Sequence, residues 1–131
     1  MGNGRMRNVS DAMASPEKLL PDQPAEEGAI DARWQAIIEV SAFIEEEPEA
    51  VWEFTAKWGC HEQDDLRTAI ATCLLEHLLE HHFDLIFPRV EALTNEDAHF
   101  TDTLTMCAMF GQSTVELNRE PWLTLRSSLA R

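Results

Sequence analysis

Basic residues are scarce in this chain. Its 131 residues include 10 lysines and arginines against 24 aspartates and glutamates, which gives a formal charge of −14 at pH 7. A surface of this charge repels phosphate backbones and anionic lipid headgroups. The composition therefore disfavours nucleic-acid and membrane binding. It favours a basic protein as the partner, although a well-solvated surface without a partner explains the charge equally well.

Long apolar runs and an N-terminal secretory segment are also missing. No stretch reaches the roughly 18 apolar residues that mark a membrane-spanning helix. The three cysteines, Cys60, Cys73 and Cys107, show no paired spacing, so we expect reduced thiols rather than a disulfide framework. These absences together predict a cytoplasmic protein.

The period-two alternation of a half-buried strand is absent, whereas helical spacing recurs from residue 31 onward. We therefore predict an all-α fold of five to six antiparallel helices. Residues 1–29 hold three of the five glycines and three of the six prolines, with few large apolar side chains. This composition predicts a disordered tail over 1–29 and one helical domain over 30–131.

Cap and turn residues divide this domain into helices. Asp31 is a good N-cap for a first helix that runs to about Glu46, Pro48 suits the first turn of a second helix, and Gly59 is placed to stop it. Later helices are predicted over 64–83, after Asp84 with a break or bend at Pro88, from about residue 97 to Gly111, and over 121–129.

The third predicted helix, residues 64–83, is apolar on nearly every side. At 100° per residue, Leu66, Ile70 and Leu74 share one arc with His77 and His81. The clearly polar strip consists of Thr68, Thr72, Glu76 and Glu80. Neighbouring helices must therefore cover this helix on two sides, which makes it the central element of the fold.

The segment Asp64-Asp65-Leu66-Arg67-Thr68-Ala69-Ile70-Ala71, followed by Leu74 and Leu75, resembles the Asp, Val-Arg, Ala-Ala, Leu signature of a HEAT repeat. The likeness covers roughly residues 31–93, and residues 100–111 lack the Asp and Arg of the signature. It implies a small bacterial HEAT-repeat-type domain, a short right-handed solenoid of antiparallel helix pairs that binds another protein. It also implies a structural role for Asp64 or Asp65 together with Arg67 in bridging neighbouring repeats.

His77-Leu78-Leu79-Glu80-His81 matches the H-x-x-E-H pattern of inverted zincins. Histidines one helical turn apart can bind zinc, and Glu80 lies at the edge of their face as a possible base. Catalytic zinc needs a third protein ligand and an open position for water. The candidates are Cys73, Glu116 or a carboxylate from another helix, and the sequence selects none. The alternative is that both histidines are structural and hydrogen-bonded within the helix stack.

Cys73 precedes His77 by one turn, which is the spacing of a cysteine nucleophile and its base. It also lies on the apolar arc, where a thiol stays protonated and inert. A buried structural cysteine is the favoured interpretation.

Carboxylates are concentrated in two stretches, and the six that we assign to partner binding are Glu45, Glu46, Glu49, Glu53, Asp64 and Asp65. Gathered at one edge of the fold, they would form a surface for a basic protein. The leading hypothesis is a non-enzymatic scaffold, adaptor or immunity-type inhibitor that needs no cofactor. The alternatives are a zinc-binding protein or metal-dependent hydrolase, and a protein that mimics DNA.

Overall fold

Helices supply all the regular structure of residues 32–129, the part of the chain that this computed structural model describes, and that part contains no strand. The predicted tail over 1–29 and the N-cap at Asp31 lie outside the described residues. The helices are α1 (Ala32–Ser41), α2 (Pro48–Trp58), α3 (Asp64–Ile70), α4 (Glu76–His81), α5 (Phe83–Glu96), α6 (Ala98–Thr105) and α7 (Glu116–Leu129). The all-α prediction is confirmed for the described part.

The helices α3 and α4 and the π-helical turn between them, Ala71–Leu75, form one continuous helix, here called the central helix. In the π turn the Glu76 N–H donates to the carbonyl of Ala71, five residues earlier. The large, fully buried side chains of the central helix are Leu66, Ile70, Leu74, Leu75, Leu78 and Leu79. Contacts from α1, α2, α5 and α6 cover it, as its apolar circumference requires.

The first helix is shorter than predicted, because α1 ends at Ser41 rather than near Glu46. The following residues form a tight turn, in which Phe43 N–H donates to Val40 (3.0 Å) and Ile44 N–H donates to Ser41 (3.2 Å). This i to i−3 bonding turns the chain so that the Ile44 side chain is buried. The predicted start of α2 at Pro48 agrees with the structure.

The predicted break at Pro88 is wrong, because α5 continues through this proline to Glu96. A proline inside a helix removes one backbone hydrogen bond and costs about 3 kcal/mol. Pro88 itself is exposed, whereas Ile86, Phe87 and Val90 around it are buried. Packing of the buried face therefore outweighs the local preference of proline.

The predicted end of the fifth helix at Gly111 is also wrong. Helix α6 starts at an Asp97 cap, whose carboxylate accepts from Phe100 N–H (2.9 Å), and ends at Thr105. Gly111 instead opens a 3-10 turn, Gly111–Thr114, with φ at +48°. A Cβ there would lie 2.7 Å from Cγ of Glu80, so glycine is needed for both backbone conformation and close approach.

The last helix, α7, begins five residues before the predicted start at Pro121. Trp122 is its buried side chain, and the indole ring lies 6.3 Å from the ring of Phe87. Among the described residues, the buried Trp122 Nε1 and the Ser113 Oγ in the adjacent 3-10 turn have no hydrogen-bond partner. Helix α7 is thus attached by the buried Trp122 and by the partly buried Leu125 and Leu129 that pack against the core.

Arg67 is a buried cation that joins three parts of the fold. Its side chain is 5% exposed. Its Nη1 donates to the carbonyls of His61 (2.8 Å) and Glu62 (3.0 Å), and its Nη2 donates to Asp102 Oδ2 in α6 (2.8 Å) and to Asp64. The loop after α2, the start of α3 and α6 are therefore held by one guanidinium group.

Asp65 takes part in a second contact between helices. The buried Arg33 of α1 donates to Asp65 and to Gln63 Oε1 (2.8 Å). Asp65 and Arg67 thus connect the start of α3 to α1 and α6. The role that the HEAT likeness implies for them, bridging neighbouring repeats, stays a prediction. The right-handed solenoid arrangement stays a prediction.

Replacing Arg67 by lysine is expected to lower the free energy of unfolding by about 2–4 kcal/mol, because an ammonium group cannot satisfy all these buried acceptors. Arg89→Lys is the matched control, since Arg89 pairs with Glu49 at the surface, and it should change stability little. Urea denaturation followed by tryptophan fluorescence measures both variants. Equal losses would contradict the role assigned to Arg67.

Leu74→Asp is expected to remove at least about 3 kcal/mol of stability, because it places an unpaired carboxylate where the side chain is 0% exposed. Leu117→Asp introduces the same group where the side chain is 85% exposed, and it should cost less than about 0.5 kcal/mol. Thermal melts by circular dichroism compare the two. A near-native, cooperative melt for Leu74→Asp would refute the central position of this helix.

Candidate functional site

The two histidines of the H-x-x-E-H segment lie at the C-terminal end of the central helix and share one carboxylate. His77 Nδ1 lies 2.7 Å from Glu80 Oε1, and His81 Nε2 lies 3.6 Å from the same oxygen. His77 Nε2 lies 3.6 Å from Glu76 Oε2. Glu80 is therefore engaged by the histidines themselves rather than held apart from them as a base would be.

Metal-site geometry is not assembled around this pair. Within residues 32–129, no group of three or more His, Cys, Asp or Glu side chains is arranged to hold a metal ion. Of the proposed third ligands, Cys73 lines the same groove as His77 and His81, whereas Glu116 lines a separate depression along α7. The described arrangement thus gives the zinc hypothesis no support beyond the sequence pattern.

A groove of about 340 Å³ separates the end of α1 from the central helix, and we call it the α1 groove. From α1 and the turn after it, the lining residues are Ile38, Ser41, Ala42, Ile44 and Glu45. From the central helix they are Thr72, Cys73, His77 and His81. Two of these, Thr72 and Cys73, belong to the π turn, a local irregularity that is frequent at functional sites.

A segment between α6 and α7 packs over the histidine end of the central helix. The Ala108 N–H donates to Glu76 Oε1 (2.8 Å), and the Phe110 ring stacks on His77 with centroids 5.7 Å apart and planes at 10°. Gln112 Nε2 donates to the carbonyl of His81 (2.8 Å). The segment covers one face of the His77 ring and leaves the groove side open.

The thiol closest to this site is unsuited to nucleophilic attack. Burial raises the pKa of Cys73; contact with the Thr72 hydroxyl opposes this rise, and the nearby Glu76 carboxylate adds to it. A protonated thiol is a poor nucleophile at neutral pH. The expectation that Cys73 is buried is met only in part, because its side chain is half-buried and lines the α1 groove.

The carboxylates assigned to partner binding fall into two groups. Asp64 and Asp65 are engaged by Arg67 and Arg33, and they serve the fold. Glu45, Glu46, Glu49 and Glu53 follow one another through the turn after α1 and along α2, and all four are exposed. This second group lies within nine consecutive residues and is here called the acidic edge.

Several of the few cations of the described part are already paired within the chain. Arg33 and Arg67 are buried in their carboxylate contacts. Arg89 forms two hydrogen bonds to Glu49, of 2.5 and 2.9 Å, and this contact lowers the pKa of Glu49. The remaining surface is thereby left with an excess of negative charge.

No family model matches this chain. No curated protein and no solved structure matches it either. The HEAT likeness therefore remains a sequence prediction. Within residues 32–129 no helix is long and apolar enough to cross a membrane.

Cys60 is expected to react slowly with iodoacetamide in the native state. Burial, and then the neighbouring Asp97 carboxylate, raise the pKa of Cys60 to about 11, whereas the unfolded thiol titrates near about 8.5. At pH 8 we expect alkylation at least tenfold slower than in the urea-unfolded chain, measured by mass spectrometry of the labelled peptide.

The same shift links Cys60 to stability. Because the folded pKa is the higher one, the protonated thiol stabilises the fold below about pH 8.5, and this contribution is lost as the pH rises toward 11. Equal alkylation rates in the folded and unfolded chain would contradict the shift.

Proposed function

We propose that this protein binds a basic protein partner through the acidic edge and carries out no catalysis of its own. The observation that carries the proposal is the exposure of Glu45, Glu46, Glu49 and Glu53 along one continuous stretch. Such a surface attracts a positively charged partner and accelerates its association. An adaptor or an immunity-type inhibitor acts in this way.

The geometry of α2 supports a shared surface. Glu49 and Glu53 are four residues apart, so they project from the same face of the helix. Glu45 and Glu46 lie in the preceding turn and are exposed as well. A partner surface with clustered lysines or arginines would meet four carboxylates within a short stretch of chain.

The contact between Arg89 and Glu49 does not block this use. Both side chains are at the surface, and exposed ion pairs of this kind add little to stability. A partner arginine can compete for Glu49 without a large loss for the fold. Partner binding and the integrity of the core are therefore separable.

The chemistry at the histidines favours binding over catalysis. Glu80 is hydrogen-bonded to His77, and burial raises the pKa of the Cys73 thiol, which disfavours the nucleophilic thiolate. Neither group is arranged as a free nucleophile or base. Among the described residues, no group of three or more possible ligands supports the zinc hypothesis.

The test is capture of a partner from a lysate of the source cells with wild-type protein and two charge variants. The first variant carries Glu45→Gln, Glu46→Gln, Glu49→Gln and Glu53→Gln. The matched control carries Glu91→Gln, Glu96→Gln, Glu116→Gln and Glu120→Gln, which are also exposed. Captured proteins are identified by mass spectrometry, purified and titrated at low and high salt.

We expect one basic protein that binds wild type and control alike, with at least a tenfold weaker Kd for the acidic-edge variant and for high salt. Equal binding by both variants, or the absence of any salt-sensitive partner, would overturn the proposal. Competition by a short DNA duplex would instead identify the protein as a DNA mimic.

A further inference from the structure

We infer that the α1 groove is the specificity pocket of this interaction and takes an apolar side chain of the partner that stands beside a lysine or arginine. This inference rests on the proposed function, and it names the partner chemistry more closely. The link between the two is Glu45, which lines the groove and is also the first residue of the acidic edge. A partner bound at the edge therefore has the groove next to it.

The apolar wall of the groove is incompletely covered. Ile38 is 45% exposed although it projects from the same helix as the buried Ile37. In the described residues, the other exposed large apolar side chains all lie between Phe110 and Leu123, away from α1 in the sequence. Covering Ile38 removes apolar surface from water, which favours an apolar anchor at this position.

The groove is large enough to take an apolar anchoring side chain. Its volume of about 340 Å³ is at the lower end of the range for ligand pockets. Its lining includes the side chains of Ile44 and Cys73, and the wall contributed by the central helix includes His77 and His81. Glu80 holds His77 through a 2.7 Å contact, so this wall is positioned before a partner arrives.

The charge of the groove favours a basic residue next to the anchoring side chain. None of its lining residues is a lysine or arginine, and Glu45 presents a carboxylate at its edge. Glu46 follows directly along the chain and is exposed. A cation next to the apolar anchor thus meets opposite charge, whereas a carboxylate there is repelled.

Two synthetic peptides test the inference. The first alternates arginine with leucine, and the second replaces each leucine by serine, so both carry the same charge. Each is titrated into ¹⁵N-labelled full-length protein, and the backbone amide shifts are followed by NMR. The leucine peptide should shift Ile38, Thr72, Cys73 and His77 as well as the acidic edge, and the serine peptide should shift the acidic edge alone.

The variant Ile38→Ser tests the apolar contribution of the groove separately from the charge of the acidic edge. It should weaken the leucine peptide about tenfold and leave the serine peptide unchanged. Leu123→Ser is the matched control, since Leu123 is 43% exposed on α7, and it should change neither affinity. Thermal melts confirm that both variants are folded.

The outcomes distinguish the two claims. If both peptides bind the acidic edge and neither shifts the groove residues, the inference fails and the proposed function stands. An equal loss of leucine-peptide affinity in Ile38→Ser and Leu123→Ser also overturns the inference. If neither peptide shifts the acidic edge, both the function and the inference are overturned.

Discussion

Burial of a helix that is apolar almost all round is the constraint on which this structure depends. The leucines and isoleucine of the central helix point in several directions, and one neighbour cannot cover them all. Four other helices therefore surround it. Arg67 completes the arrangement, because its guanidinium satisfies the loop carbonyls beside α3 and reaches across to Asp102 of α6. The Arg67–Asp102 contact and the apolar packing therefore both connect the central helix to α6.

The sequence predicted what depends on periodicity and missed what depends on tertiary contact. The all-α class, the start of α2 at Pro48 and the burial of Leu74 follow from local patterns. Pro88 was misjudged because proline's local penalty is smaller than the gain from burying Phe87 and its neighbours. Gly111 was misjudged for a related reason, since its glycine is required by the approach of Glu80 and not by a helix end.

In the candidate site, too, local spacing was predictable from the sequence and tertiary contacts were not. Helical spacing placed His77, Glu80 and His81 together, and the structure places them together too. Spacing could not reveal Phe110 stacked on His77 or the Ala108 amide on Glu76, because these contacts join residues some thirty positions apart. Helical spacing also could not show which of the six candidate carboxylates pair with buried arginines. Asp64 and Asp65 pair with buried arginines, whereas Glu49 pairs with the surface Arg89, and only a structure distinguishes these contacts.

The attachment of α7 sets an order of stability within the domain. Trp122 is its buried residue, and neither the indole Nε1 nor the nearby Ser113 Oγ has a partner among the described residues. Detaching this helix exposes Trp122, Leu125 and Leu129, whereas opening the central helix exposes the whole core. Local unfolding free energies differ between such units of one domain. We therefore expect the C-terminal helix to open before α1, α2 and the central helix, which carry the acidic edge and the α1 groove.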